Sequence, residues 1–157
     1  MKKIIVALFV IGLAVASYAQ SNSEEIDLLQ SVYGMKKKEL VAKHMKLEVN
    51  QTDVFWQLYD EYEIARKEIA KKRLNNIEYY AEKYENMTDA DADLLLKKSL
   101  EVKMDFIKLW SKTYKKMSKS INSVTAAQFI QAEMFFEEMV RQELSMEIPF
   151  IGEFEVQ

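Results

Sequence analysis

From Met35 to Ile148 the chain has neither glycine nor proline; Gly34, Pro149 and Gly152 stand at or beyond the ends of that stretch. A sheet protein of this size needs many tight turns, and tight turns draw on the positive φ of glycine and the fixed φ of proline. A stretch this long without either residue is spanned by a few long helices. The 157 residues, 49% hydrophobic and 30% charged, suit a single packed domain, neither disordered nor membrane-embedded overall. The expected fold class is all-α, with four helices of which two central ones are long.

The first helix is expected from about Glu24 to Lys46, with Leu28, Leu29, Val32, Leu40 and Val41 as its apolar positions and Gly34 marking a weak point or bend. The second is expected from about Asn50 to Asn86, with Asn50 and Asp53 spaced as a capping box. Its apolar residues fall at 55, 58, 62, 65 and 69, then at 70, 74, 77, 81 and 84. Each set has helical 3–4 spacing, and the one-residue slip at Lys71-Lys72-Arg73 predicts that the buried stripe rotates there or the helix bends. The third is expected from Asp89 to Ile121, capped by Thr88 and Asp91, burying Leu96, Leu100, Ile107, Trp110, Tyr114, Met117 and Ile121 with Lys103 as an interruption. The fourth is expected from Ala126 to Glu147, capped by Thr125 with Gln128 three residues on, and ended by Pro149. The tail after it is short, apolar and alternating. Two helices of such length carry more apolar stripe than one compact subunit hides. An open bundle or a homodimer is the expected remedy.

The N-terminus is built like a leader. Lys2 and Lys3 precede an apolar run from Ile4 to Val15, and Ser17-Tyr18-Ala19 places small residues at the −3 and −1 positions. The expectation is export to the periplasm with cleavage after Ala19, leaving one helical domain over residues 20–157. There is no cysteine, which excludes disulfides, thiol catalysis, cysteine zinc sites and a lipid-anchored cysteine.

Leu47 to Tyr62 reads L-E-V-N-Q-T-D-V-F-W-Q-L-Y-D-E-Y, and Val124 to Gln128 reads V-T-A-A-Q. Both resemble the L-T-x-x-Q motif of the Spy/CpxP family of periplasmic proteins, in its Bacteroidetes-type variant. Val124 replaces the leucine of the second motif, whereas Glu48 stands where the first motif has threonine. The order of leader, short helix, motif, two long helices, motif and last helix is similar to that family over most of the mature chain. The resemblance implies an elongated helical hairpin that dimerises into a curved cradle. It implies the activities found in the family: ATP-independent chaperoning, restraint of an envelope-stress sensor kinase, or metal response. It carries turn-and-cap roles to Leu47, Gln51, Val124, Thr125 and Gln128. The departure at Glu48 turns the capping role at the first motif toward Asn50.

Little points to catalysis. His44 is the sole histidine, in a lysine-rich stretch that reads as surface. There is no E-x-x-H pair for a di-iron bundle and no G-x-x-x-x-G-K-[ST] phosphate loop. The expectation is a non-enzyme without cofactor or metal, and no catalytic residue is assigned.

What remains is surface chemistry. Phe55, Trp56, Tyr59, Tyr62, Met134, Phe135, Phe136 and Met139 crowd aromatic and methionine side chains into short spans. Neighbours on a helix point about 100° apart, so both members of an adjacent pair cannot face one stripe. The plain reading is core plus dimer seam; the functional one is an adaptable surface for unfolded clients or a partner. Without Lys2 and Lys3 the chain holds 20 basic and 25 acidic residues, a net −5, with eight lysines between 97 and 119. Lys71, Lys72, Arg73, Lys112, Lys115 and Lys116 form the candidate basic patch. Solvated helix faces account for it; as a site it fits acidic clients or a peripheral contact with an anionic membrane surface, not nucleic acid. The function expected is an ATP-independent periplasmic chaperone or envelope-stress protein. The alternative is a regulatory adaptor that restrains a membrane stress sensor or anti-sigma system.

Overall fold

The computed structural model describes residues 34–149 and residue 151. Residues 34–44 form α1, followed by α2 (Val49–Lys83), a 3-10 turn (Tyr84–Asn86), α3 (Asp89–Ser120) and α4 (Ser123–Glu147). The described residues are all-helical, with no strand among them, and α2 and α3 are the two long elements. The expected leader, its cleavage point, the start of the first helix and most of the apolar tail lie outside the described residues. The chain divides into two compact units, residues 1–44 and 45–157. In the first, α1 buries Lys37 and Val41 and leaves Met35 and Leu40 exposed, so Leu40 does not take its expected core position.

The second unit holds the three longer helices. α2 has 35 residues, a rod of about 52 Å. Its N-cap is Glu48, which forms a capping box with Gln51. The Glu48 amide donates to Gln51 Oε1 at 3.2 Å, and the Gln51 amide donates to the Glu48 carbonyl at 2.9 Å. This corrects the expected Asn50–Asp53 cap. The helix already begins at Val49, so Asn50 lies inside its first turn and cannot cap it, and Gln51 rather than Asp53 holds the third helical position. α3 starts where the sequence places it. Thr88 Oγ1 accepts from the Asp91 amide at 3.2 Å, and Asp91 Oδ2 accepts from the Thr88 amide at 3.1 Å. α4 starts earlier than expected. Asn122, not Thr125, is its N-cap, and Asn122 Oδ1 accepts from the Thr125 amide at 2.8 Å. The side-chain oxygen of asparagine does there what the threonine hydroxyl was expected to do three residues later.

Pairings along the rods fix their directions. Phe55 meets Phe129, Tyr62 meets Glu133, Arg73 meets Glu137 and Tyr80 meets Pro149, so α2 and α4 run parallel. Tyr79 meets Asp91, Asn76 meets Ser99, Lys72 meets Asp105 and Lys116 meets Glu61, so α3 runs antiparallel to α2. The α2–α3 seam buries Ile69, Val102 and Phe106, with Leu109 and Trp110 packed against them.

Two expected stripes are corrected by burial. On α2, Phe55, Tyr59, Tyr62, Arg66, Ile69 and Asn76 are buried with Arg73 part-buried, a continuous 3–4 register without a slip. Polar side chains fill the register where apolar ones run out. Arg66 is bonded to Glu63, Arg73 to Glu137 and Asn76 to Ser99, so each is tolerated inside. On α3 the buried positions are Leu95, Val102, Phe106, Thr113 and Met117. Leu96, Leu100, Ile107 and Tyr114, expected in the core, are exposed, and Met117 alone of the expected stripe is fully buried. Leu94-Leu95-Leu96 puts leucine on three faces of one helix. Periodicity alone cannot say which of them turns inward.

Candidate functional site

The interior of the bundle is aromatic at one end and charged further along. Phe129, fully buried on α4, lies edge-on to Phe55, Tyr59 and Tyr62, with ring centroids 5.6, 5.9 and 5.2 Å away. These rings are offset in T-shaped contacts, the favourable arrangement for their quadrupoles. The Tyr62 hydroxyl donates to Glu133 Oε2 at 2.7 Å and accepts from Trp110 Nε1 at 3.2 Å. One hydroxyl thus ties α2, α3 and α4. Burial, then the Glu133 carboxylate, push the Tyr62 hydroxyl well above its ordinary pKa. Burial also raises Tyr59. Farther along, Arg73 pairs with Glu137 and lies over the Phe106 ring, 5.0 Å from its centroid. Burial raises the Glu137 carboxyl although the Arg73 charge pulls it down.

The aromatic residues singled out in the sequence therefore separate into two groups. Phe55, Tyr59 and Tyr62 are core and Trp56 is part-buried; they form the internal aromatic cluster. Met134, Phe135 and Met139 are exposed on α4, and Phe136 is half-buried. Phe135, Met139 and the exposed Met146 are spaced by four and seven residues and so share one face, and the exposed Met134 points about 100° or more away from it. The inner register of α4, with Ala126, Phe129 and Glu133, is turned away from that face.

Several of the basic residues are engaged by carboxylates. Lys72 is held by Asp105 at 2.7 Å, Lys116 by Glu61 at 2.7 Å, and Arg73 is spent on Glu137. Lys71, Lys112 and Lys115 are exposed on two different helices. The motif residues sit at helix starts. Leu47 is half-buried ahead of α2, Gln51 closes its capping box, Val124 is exposed in the first turn of α4, and Thr125 and Gln128 are half-buried on it. Asn50 is exposed in the first turn of α2.

Among the described residues no group of three metal-ligating side chains gathers, and no helix is long and apolar enough to cross a membrane. His44 is exposed at the end of α1. Sequence reasoning missed the outward row Leu96, Leu100, Met104 and Ile107, all exposed on α3. The signal for it was present: Val102 and Phe106 offer an alternative inward register, and lysines border the row. Comparisons with known protein families, with curated proteins and with solved structures find no match for this chain.

Proposed function

We propose that the chain is an ATP-independent chaperone of the cell envelope, exported to the periplasm, that holds unfolded or partly folded clients on the outer face of α4. The observation that carries this reading is the exposed face Phe135, Met139 and Met146, with Met134 exposed around the helix from it, on a helix whose opposite side is already packed. Such a surface is costly in water unless something covers it. Methionine repacks around varied shapes and phenylalanine brings large area with few rotors, which suits clients without a fixed form. The exposed Lys112 and Lys115 favour acidic segments at first encounter. The likeness of the two motifs and the helix order to Spy/CpxP proteins supports the same reading, including self-association into a dimer.

The test is suppression of aggregation of unrelated unfolding proteins by the purified chain without nucleotide. Suppression near equimolar ratio is expected, and Phe135→Ser with Met139→Ser should weaken it several-fold while leaving the melting temperature nearly unchanged. No suppression at several-fold excess removes the proposal. A single strong crosslinked partner together with absent client binding would point instead to a regulatory adaptor on a membrane stress sensor.

A further inference from the structure

A second unpartnered apolar face lies on α3, and it has a different electrostatic setting. Leu96 is 62% exposed, Leu100 51%, Met104 51% and Ile107 54%, with Tyr114 exposed beyond them. At about 100° per residue these five fall within an arc of about 80°. The row from Leu96 to Tyr114 is about 27 Å long. Along one border stand Lys97, Lys108, Lys112, Lys115 and Lys119, with Glu101 as the one acid among them, and Lys103 stands on the other border. All six lysines are exposed. Lys97, Lys103, Lys112, Lys115 and Lys119 make no ion pair among the described residues, and Lys108 reaches Asp105 only at 3.9 Å.

We infer that this face of α3 is a docking surface for an anionic phospholipid bilayer. The sequence places an apolar row in the middle and lysines at the margins. That is the order a helix needs to lie in the plane of a membrane interface, with apolar side chains below the headgroups and lysine stems reaching back to them. A bilayer bearing anionic lipids supplies negative charge along the whole row, so every lysine finds a counter-charge. A second copy does not. Antiparallel pairing across the row answers Lys108 with Glu101 but sets Lys97 toward Lys112 and brings the two Lys103 residues together near the centre. Parallel pairing sets the five-lysine border of each helix against the other's Lys103 border, again cation toward cation. Since no helix among the described residues can cross a bilayer, the contact is peripheral. The apolar row on α3 is separate from the apolar cluster on α4, although Lys112 and Lys115 enter both readings, and the inference does not depend on client binding.

The chain contains no cysteine, so one introduced thiol carries a single reporter. Full-length protein with Met104→Cys, labelled with a polarity-sensitive fluorophore, is titrated with vesicles of phosphatidylcholine plus phosphatidylglycerol and with vesicles of phosphatidylcholine alone. The aspartate variant below keeps the apolar N-terminal run 4–15, so loss of its response separates binding through α3 from insertion of that run. A blue shift is expected with the anionic vesicles only, reversed by about 1 M salt, where the screening length falls to about 3 Å. The same label at Met134→Cys on α4 should stay unmoved. Adding Leu100→Asp and Ile107→Asp should weaken the Met104→Cys response at least tenfold. Both sites are exposed, and circular dichroism checks that the helices persist. Should that variant misfold, Lys103→Gln with Lys108→Gln gives an independent reading, about fivefold weaker per lysine removed.

Four outcomes would overturn the inference. One is no shift with anionic vesicles, and another is an equal shift with both vesicle types. A third is a shift without vesicles that grows with protein concentration, which would mean that a second copy covers the face. The fourth is a shift with polyglutamate but none with vesicles, which would assign the face to an acidic polypeptide.

Discussion

Tyr62 and Glu133 stand 71 residues apart in the chain, yet the Tyr62 hydroxyl donates to Glu133 Oε2 at 2.7 Å where both side chains are buried. The same hydroxyl accepts from Trp110 Nε1, so α3 joins the contact between α2 and α4. A buried carboxylate is costly unless its oxygens are bonded, and this pairing offsets part of that cost while fixing the register of α4.

Stability should therefore fall in alkali. Tyr62 and Tyr59 both have raised folded-state pKa values, so above a pH of about 10 the unfolded chain releases protons that the folded chain keeps. Folding is then increasingly opposed as pH rises, by up to about 1.4 kcal/mol per pH unit for each such tyrosine. Tyr62→Phe should cost about 1–3 kcal/mol at neutral pH, because Glu133 loses a buried donor, and should flatten the alkaline slope. Urea melts from about pH 7 to about pH 11 measure both. An unchanged slope in Tyr62→Phe would mean that the hydroxyl titrates normally.

The all-helical build, its two long helices and the starting cap of α3 were legible in the chain because they depend on local chemistry: the absence of glycine and proline, and the Thr88–Asp91 spacing. The inward faces were not. On α2, counting apolar residues led to a slip at Lys71-Lys72-Arg73. The true register passes through Arg66, Arg73 and Asn76, whose partners on the same helix, α4 and α3 cannot be known without the fold. On α3, Leu95 and Leu96 are equally apolar, and only the neighbouring helices select Leu95. The aromatic and methionine cluster was legible as a set, but its division into buried Tyr62 and exposed Phe135 is a property of packing. The starts of α2 and α4 were misjudged because several polar residues near each could cap, and geometry selects Glu48 and Asn122.

The cap of α3 should confer acid sensitivity. Asp91 is held at about 2, first by its bond from the Thr88 hydroxyl and then by the Tyr79 hydroxyl, which donates at 2.5 Å. A carboxyl with a depressed folded-state pKa contributes stability above its ordinary pKa of about 3.8 that is lost as pH falls toward 2. Asp91→Asn should remove part of the stability loss in that window. Thr88→Ala should cost about 1 kcal/mol at neutral pH through the lost cap. Thermal melts at pH 7, 4 and about 2.5 decide both points.

The Arg73–Glu137 pair should behave as a unit. Each side chain is 16% exposed, and Arg73 also covers the Phe106 ring. Removing one partner leaves the other charge poorly hydrated, so Arg73→Leu or Glu137→Leu alone should cost about 3 kcal/mol. The double variant should lose less than either single one, since two apolar side chains need no partner. A double-mutant cycle by urea denaturation reads the coupling. Additive losses would show that the two charges do not depend on each other.

Phe129 and Phe135 should divide stability from binding on a single helix. Phe129 is 0% exposed among Phe55, Tyr59 and Tyr62, whereas Phe135 is 63% exposed six residues later. Phe129→Ala removes a ring from a filled interior, and the lost transfer energy and the cavity together should cost about 3–5 kcal/mol. Phe135→Ala removes a ring already in water, and the change in folding free energy should stay within about 0.5 kcal/mol. Client capture should move the other way: Phe135→Ala weakens it at a temperature where the protein is fully folded, and Phe129→Ala weakens it only as the bundle melts. Melting curves and aggregation-suppression curves on the same two samples make the comparison. Should Phe135→Ala destabilise the fold as much as Phe129→Ala does, the outer face of α4 is a packing surface and clients bind elsewhere.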